Sequence, residues 1–269
     1  MELLLALALR VGLLLYAVIV PGFAVLRAAG FASRSKLDWL LAVLTAGAAA
    51  TSLTVTTLLL VGIYYRPLLI VLLVLPLGYL AWSARRWRSI GGVAGGAEAP
   101  TYVDDLAGGA EAPPYVQSGS DAIDRAVIVA GIAFLAVYLI DAWSSPITWW
   151  DGLASWGKWA ADWGRRTSSA HYVVGGYPQL VPRIVSVMYK LTGAHSAVLP
   201  IDFFALHGFY VLLAAWFLAA AVRLSRLLEM PAWPVVLAGL GSVQFREHSG
   251  AGTVDVLVCA MVTSLLALR

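Results

Sequence analysis

The chain has 269 residues, of which 61% are hydrophobic and 12% charged, with a net charge of +3 at pH 7. A soluble domain averages about 45–50% apolar and about 25% charged residues, so this composition, with a mean hydropathy of +0.83, excludes a soluble enzyme, a disordered chain and a disulfide-stapled secreted module. An all-α, multi-pass membrane protein is expected, in which the small basic excess orients helices and does not mark a nucleic-acid binder.

Apolar runs of about 18 or more residues cross a hydrocarbon core about 30 Å thick. Seven such spans are expected, near 3–29, 38–63, 67–84, 125–143, 198–222, 231–246 and 252–268. The first is too long for a signal peptide, lacks a small-residue cleavage site, and carries Arg10 and a kink-prone Pro21-Gly22 pair. In the second, Gly47 with Thr51, Ser52 and Thr54 reads as a small-residue packing face. Lys and Arg gather at alternate boundaries: Arg27, Arg34 and Lys36; then Arg85, Arg86 and Arg88; then Arg223 and Arg226; then Arg269. Such clusters stay in the cytoplasm, which puts the N-terminus, the 144–197 loop and the 246–251 turn outside. That loop nevertheless holds Lys158, Arg165, Arg166, Arg183 and Lys190. Either the orientation is inverted or the loop meets an anionic partner.

The chain divides into a three-span N-terminal bundle (1–85), a flexible linker (86–124) and a second helical core (125–269). The linker carries a near-duplicate, Gly95-Gly-Ala-Glu-Ala-Pro-Thr-Tyr-Val103 and Gly108-Gly-Ala-Glu-Ala-Pro-Pro-Tyr-Val116. A segment this rich in Gly, Ala and Pro buries too little surface to offset its ordering entropy.

Between spans four and five, six of the eleven Trp fall within residues 143–163. On a helical wheel Asp151, Lys158 and Asp162 lie within about 40° of one another, and Trp159, Trp163 and Trp156 follow at about 80–140°. An acid–base stripe beside a Trp stripe is the pattern of a short helix lying in the membrane interface. Its charged stripe would face water or a cleft, and its Trp stripe the lipid or a neighbouring helix. Asp151 opens that helix either as an N-cap, worth about 1 kcal/mol, or as a catalytic carboxylate at the membrane surface. Both roles are compatible, because a capping carboxylate is fixed in direction. Further on, Tyr177-Pro178-Gln-Leu-Val-Pro182-Arg183 opens a second interfacial helix. Tyr177 and Arg183 would point back toward the first. Arg183 is either a snorkelling end or a phosphate-binding fork.

Ionisable residues near the later spans carry two readings as well. Asp202 and His207 begin span five and Asp255 begins span seven; in lipid such groups are costly and often functional, while water near a helix end also allows plain anchoring. His207 with Asp255 is a two-ligand metal candidate only. Arg10 is expected to snorkel or to be paired.

The order Trp149-Trp150-Asp151, an amphipathic helix, then Tyr177-Pro178-Gln-Leu-Val-Pro182 resembles the first outer loop of the GT-C membrane glycosyltransferases, such as protein mannosyltransferases and aminoarabinose transferases. Phe245-Arg-Glu-His248-Ser-Gly250-Ala-Gly252-Thr-Val-Asp255 resembles a Gly-x-x-Asp helix start in bacterial members. The resemblance covers about 126–269. It implies a bacterial plasma-membrane enzyme that moves a sugar from a polyprenyl-phosphate donor to an acceptor at the outer face, with Asp151 as its catalytic acid or base. Lys158, Tyr177, Arg183 and His248 are candidate substrate-binding residues, and Lys158, Arg165, Arg183 or a divalent cation would stabilise the leaving phosphate. Three spans precede the GT-C-like part and the chain stops at Arg269, so a truncated member, or one half of a protein completed by a partner chain, is expected. The alternative is a non-enzymatic membrane protein, either a transporter or an inactive scaffold.

Overall fold

A computed structural model describes residues 1–31, 33, 35–91, 120–144, 157–168, 179–193, 200–241 and 255–268. The described residues form helices joined by turns: α1 (Glu2–Ala28), α2 (Lys36–Val61), α3 (Arg66–Gly91), α4 (Ser120–Ser144), α5 (Gly157–Arg165), α6 (Leu180–Thr192), α7 (Pro200–Leu227), α8 (Trp233–Gly241) and α9 (Asp255–Ala267). Four stretches are long and apolar enough to cross a membrane: Glu2–Ala28, Lys36–Val61, Arg66–Arg85 and Phe204–Leu227. They match the expected spans one, two, three and five. The span expected at 125–143 falls within the helix α4, whose described apolar stretch, Ile128–Val137, is shorter than those four. Those expected at 231–246 and 252–268 appear as the shorter α8 and α9, of nine and 13 described residues.

α1 and α2 pack backbone to backbone. A Cβ added at Gly22 would run into the Val43 carbonyl, and one at Gly47 into the Val18 carbonyl, so only glycine permits this approach. The Thr51 hydroxyl adds an interhelical bond by donating to the Ala17 carbonyl. Of the expected packing face of Gly47, Thr51, Ser52 and Thr54, Gly47 and Thr51 lie in the α1–α2 seam. Both ends of α2 are sealed. The Ser35 hydroxyl accepts from the Asp38 amide at 3.3 Å, and Gly62 closes the C-terminus at φ +81°, a left-handed turn that glycine adopts without strain. α3 lies at the periphery, tied to α1 where Tyr16 donates to the Leu73 carbonyl at 2.6 Å, one turn before Pro76.

α7 is the central helix. Its Ala205, Leu206, Phe209, Tyr210, Leu213 and Ala214 join Leu14 and Val18 of α1, Leu41 and Ala48 of α2, and the buried faces of α6 and α9 in one core. The Trp216 indole donates to the Ser264 hydroxyl at 2.8 Å, tying α9 to α7. Helices on both sides of residues 86–124 thus share a single core.

Two ion pairs fix the directions of the helices. Arg10 of α1 meets Asp202 of α7, both in the first halves of their helices, so α1 and α7 run parallel. Arg223, late in α7, grips Asp38 in the first turn of α2 with both nitrogens of its fork, so α2 runs antiparallel to α7. One end of the bundle therefore collects the starts of α1 and α7 and the end of α2; the other collects Arg27, Lys36, Asp38, Arg85, Arg223 and Arg226. This is the grouping of ends that the alternating Lys and Arg clusters anticipate.

Candidate functional site

α5 and α6 pack against each other at the end of the bundle where α1 and α7 begin. Their contact is tight at Gly164, where an added Cβ would stand 2.5 Å from the Tyr189 Cβ. The Trp163 indole donates to the Gln179 side-chain oxygen at 3.0 Å, and Trp163 is 2% exposed. Lys158 is exposed and Trp159 half-buried. Lys158 of the expected charged stripe thus points outward, and Trp163 of the aromatic stripe packs on a neighbouring helix, one of the two surroundings expected for it. The Asp162 carboxylate accepts from Arg165 at 2.6 Å on the outer surface.

The pair is anchored to the α2–α3 turn. The Tyr64 amide donates to the Thr167 carbonyl at 3.0 Å. Ser186 donates to the Arg183 carbonyl at 2.7 Å, which leaves its oxygen to accept from the Tyr64 hydroxyl at 3.0 Å. Burial pushes the Tyr64 phenol well above its ordinary value, the Ser186 bond opposing this only in part. Lys190 donates to the Arg166 carbonyl at 2.7 Å and lies 4.8 Å from the centre of the Tyr64 ring, a cation–π contact. Burial lowers the Lys190 pKa.

Beneath α6 lies a buried polar layer. Arg10 Nε donates to Asp202 Oδ1 at 2.6 Å, and Arg10 also donates to its own helix at the Ala6 carbonyl. Tyr189 of α6 is buried above this pair. Burial, followed by the Asp202 charge, pushes its phenol far up. Among the described residues, Asp202 Oδ2, the Tyr189 hydroxyl and Arg183 Nε are buried without a hydrogen-bond partner. Such atoms are costly to leave unfilled. Arg183 itself is half-buried, and desolvation lowers its pKa. A guanidinium N–H in this position suits an anionic oxygen.

Of the residues singled out from the sequence, Lys158 and Arg183 stand on the same α5–α6 pair, while Asp151, Tyr177 and His248 lie outside the described residues. Sequence reasoning did not single out Tyr64, Ser186 or Tyr189, nor the joining of Arg10 to Asp202. The last had a signal: a lone cation and a lone anion, each beginning a span at the same expected face. Among the described residues, no group of three or more His, Cys, Asp or Glu could hold a metal ion. The Asp255 side chain of the two-ligand candidate lies outside those described.

Comparison with protein-family models, curated proteins and solved structures finds no match to this chain.

Proposed function

We propose that this chain is an integral membrane glycosyltransferase of GT-C type, transferring a sugar from a polyprenyl phosphate to an acceptor at the membrane surface. The observation that carries this reading is Arg183. It sits on a helix pair that closes one end of an apolar bundle, and its Nε is buried without an acceptor among the described residues. A lipid-linked donor has the complementary form, an apolar tail for the bundle and an anionic phosphate for the guanidinium. Lys158, Arg165 and Arg166 on and beside α5 add positive charge at the same end.

In this mechanism the acceptor hydroxyl attacks the anomeric carbon while Asp151 takes its proton, assistance worth about 10²–10⁴ in rate. The bond from the anomeric carbon to phosphate oxygen breaks, and its electron pair leaves with the polyprenyl phosphate. Arg183 stabilises that developing charge. Tyr177 and His248 are assigned to the sugar and acceptor side of the same site.

The test is sugar transfer by the purified full chain in vesicles supplied with undecaprenyl-phosphate sugars. Transfer by the wild type and its loss in Asp151→Asn, with normal membrane insertion, support the enzyme. A wild type that transfers none of them overturns it. The Arg10–Asp202 pair, an ion pair buried between two helices, favours one rival, a transporter; solute uptake by the same vesicles without transfer would establish that rival.

A further inference from the structure

Two cavities between α1, α2 and α3 are not used by the proposed reaction. One, of about 410 Å³, is lined by Phe23, Arg27 and Phe31 beside α1, Trp39 of α2, and Leu80, Ser83 and Ala84 of α3. Its size is that of a small-molecule site. Phe23 and Trp39 meet edge to face with ring centres 4.8 Å apart, an aromatic wall at the level where Arg27 ends α1. The second cavity, of about 210 Å³, lies higher between the same three helices. Its α3 wall is Leu69, Leu72, Leu73 and Pro76.

The two cavities share one face of α3. Positions 69, 72, 73, 76, 80, 83 and 84 recur at helical spacing, so one stripe passes from the aliphatic cavity into the one holding Arg27. From Leu69 to Ala84 the stripe runs about 22 Å at 1.5 Å per residue, more than half of a hydrocarbon core about 30 Å thick. The slot is therefore amphipathic along its length, cationic and aromatic at the bundle's end and aliphatic toward its middle.

From this juxtaposition we infer that the α1–α2–α3 slot binds one anionic phospholipid, its phosphate at Arg27 between Phe23 and Trp39 and an acyl chain along Leu80, Pro76, Leu73 and Leu69. Charge complementarity selects the occupant. Arg27 lines the cavity, and Lys36 and Arg85 are exposed at the same end. Basic groups at a membrane boundary attract anionic headgroups. The aromatic rings suit the headgroup level, where an apolar body with a polar edge is favoured. The headgroup end of the slot is independent of glycosyl transfer, because Phe23, Arg27 and Trp39 lie away from the α5–α6 pair, whereas Leu69, Leu72 and Leu73 pack in the same cluster as Trp163 and Val187.

The test is native mass spectrometry of the full chain released from vesicles of phosphatidylglycerol and phosphatidylcholine in equal amounts. One phosphatidylglycerol per chain is expected to survive delipidation. Arg27→Gln should reduce that retention about tenfold, Arg27→Lys should largely restore it, and Leu72→Trp, which fills the aliphatic cavity, should reduce it as well. Arg226→Gln, a basic change at the same end outside the slot, should leave it unchanged. Equal retention by wild type, Arg27→Gln and Leu72→Trp overturns the proposal, as does an equal fall in Arg226→Gln, which means diffuse charge attraction. Displacement of the bound phospholipid by equimolar undecaprenyl phosphate assigns the slot to a polyprenyl lipid and overturns the choice of occupant.

Discussion

Arg10 and Asp202 stand 192 positions apart in the chain and 2.6 Å apart in space, with the carboxylate side chain fully buried and the guanidinium 13% exposed. This contact joins the helices before residues 86–124 to those after it.

Removing one partner leaves an uncompensated buried charge, which costs about 3–5 kcal/mol. Asp202→Leu and Arg10→Met should each lower the unfolding temperature in detergent strongly. The double variant should recover a large part of that loss. Additive losses in the double variant would mean that the two charges are stabilised separately.

The α1–α2 seam admits no side chain at Gly47. Gly47→Ala places a methyl against the Val18 carbonyl and should destabilise by about 1–3 kcal/mol, the usual cost of overpacking. Gly12→Ala, where the added Cβ meets nothing within 4 Å, is the control and should be neutral or slightly stabilising. Thermal unfolding of both variants decides it.

Tyr64 and Tyr189 give the pH dependence a direction. Burial raises both phenols far above the ordinary 10.0, so the folded chain keeps these protons at a pH where the unfolded chain has released them. Above pH 10 the unfolded state therefore binds fewer protons, and stability falls as pH rises. Between pH 9 and 11 the unfolding temperature should drop, and Tyr64→Phe should make that drop shallower. At pH 7 the same variant loses the bond to Ser186 and should cost about 1 kcal/mol.

Arg183→Gln removes the charge but keeps a hydrogen-bonding side chain. A charge-assisted hydrogen bond is worth about 1.5–3 kcal/mol, so the KM for a polyprenyl-phosphate sugar should rise about 10–150-fold. Lys158→Gln, on the exposed surface of α5, should have a smaller effect. A KM unchanged in Arg183→Gln separates this arginine from the donor.

The helices were legible because a bilayer imposes a length and a composition on each span, and the glycine and threonine pattern of α2 states its packing face directly. The ends that belong together were legible from Arg27, Lys36, Arg85 and Arg223. What the periodicity of a segment does not encode is its partner. The wheel position of Trp163 left lipid and a neighbouring helix both open, and Gln179 with the α6 surface takes it inward. Tyr64 lies in a turn with no period at all, and its ties to Thr167, Ser186 and Lys190 cross more than 100 residues of chain. Of the candidate site, Lys158 and Arg183 were read on the right helices; Tyr189 looks in sequence like any aromatic on an apolar face, and only its position over Asp202 distinguishes it.

The order of synthesis follows from the contact between α1 and α7. At about 5–20 residues per second, a ribosome adds 192 residues in roughly 10–40 s. Through that interval Arg10 has left the exit tunnel, but the aspartate that neutralises it does not yet exist. Until α7 emerges, Arg10 of the nascent α1 has no Asp202 to pair with, and a slower passage through the intervening residues prolongs that unpaired stage.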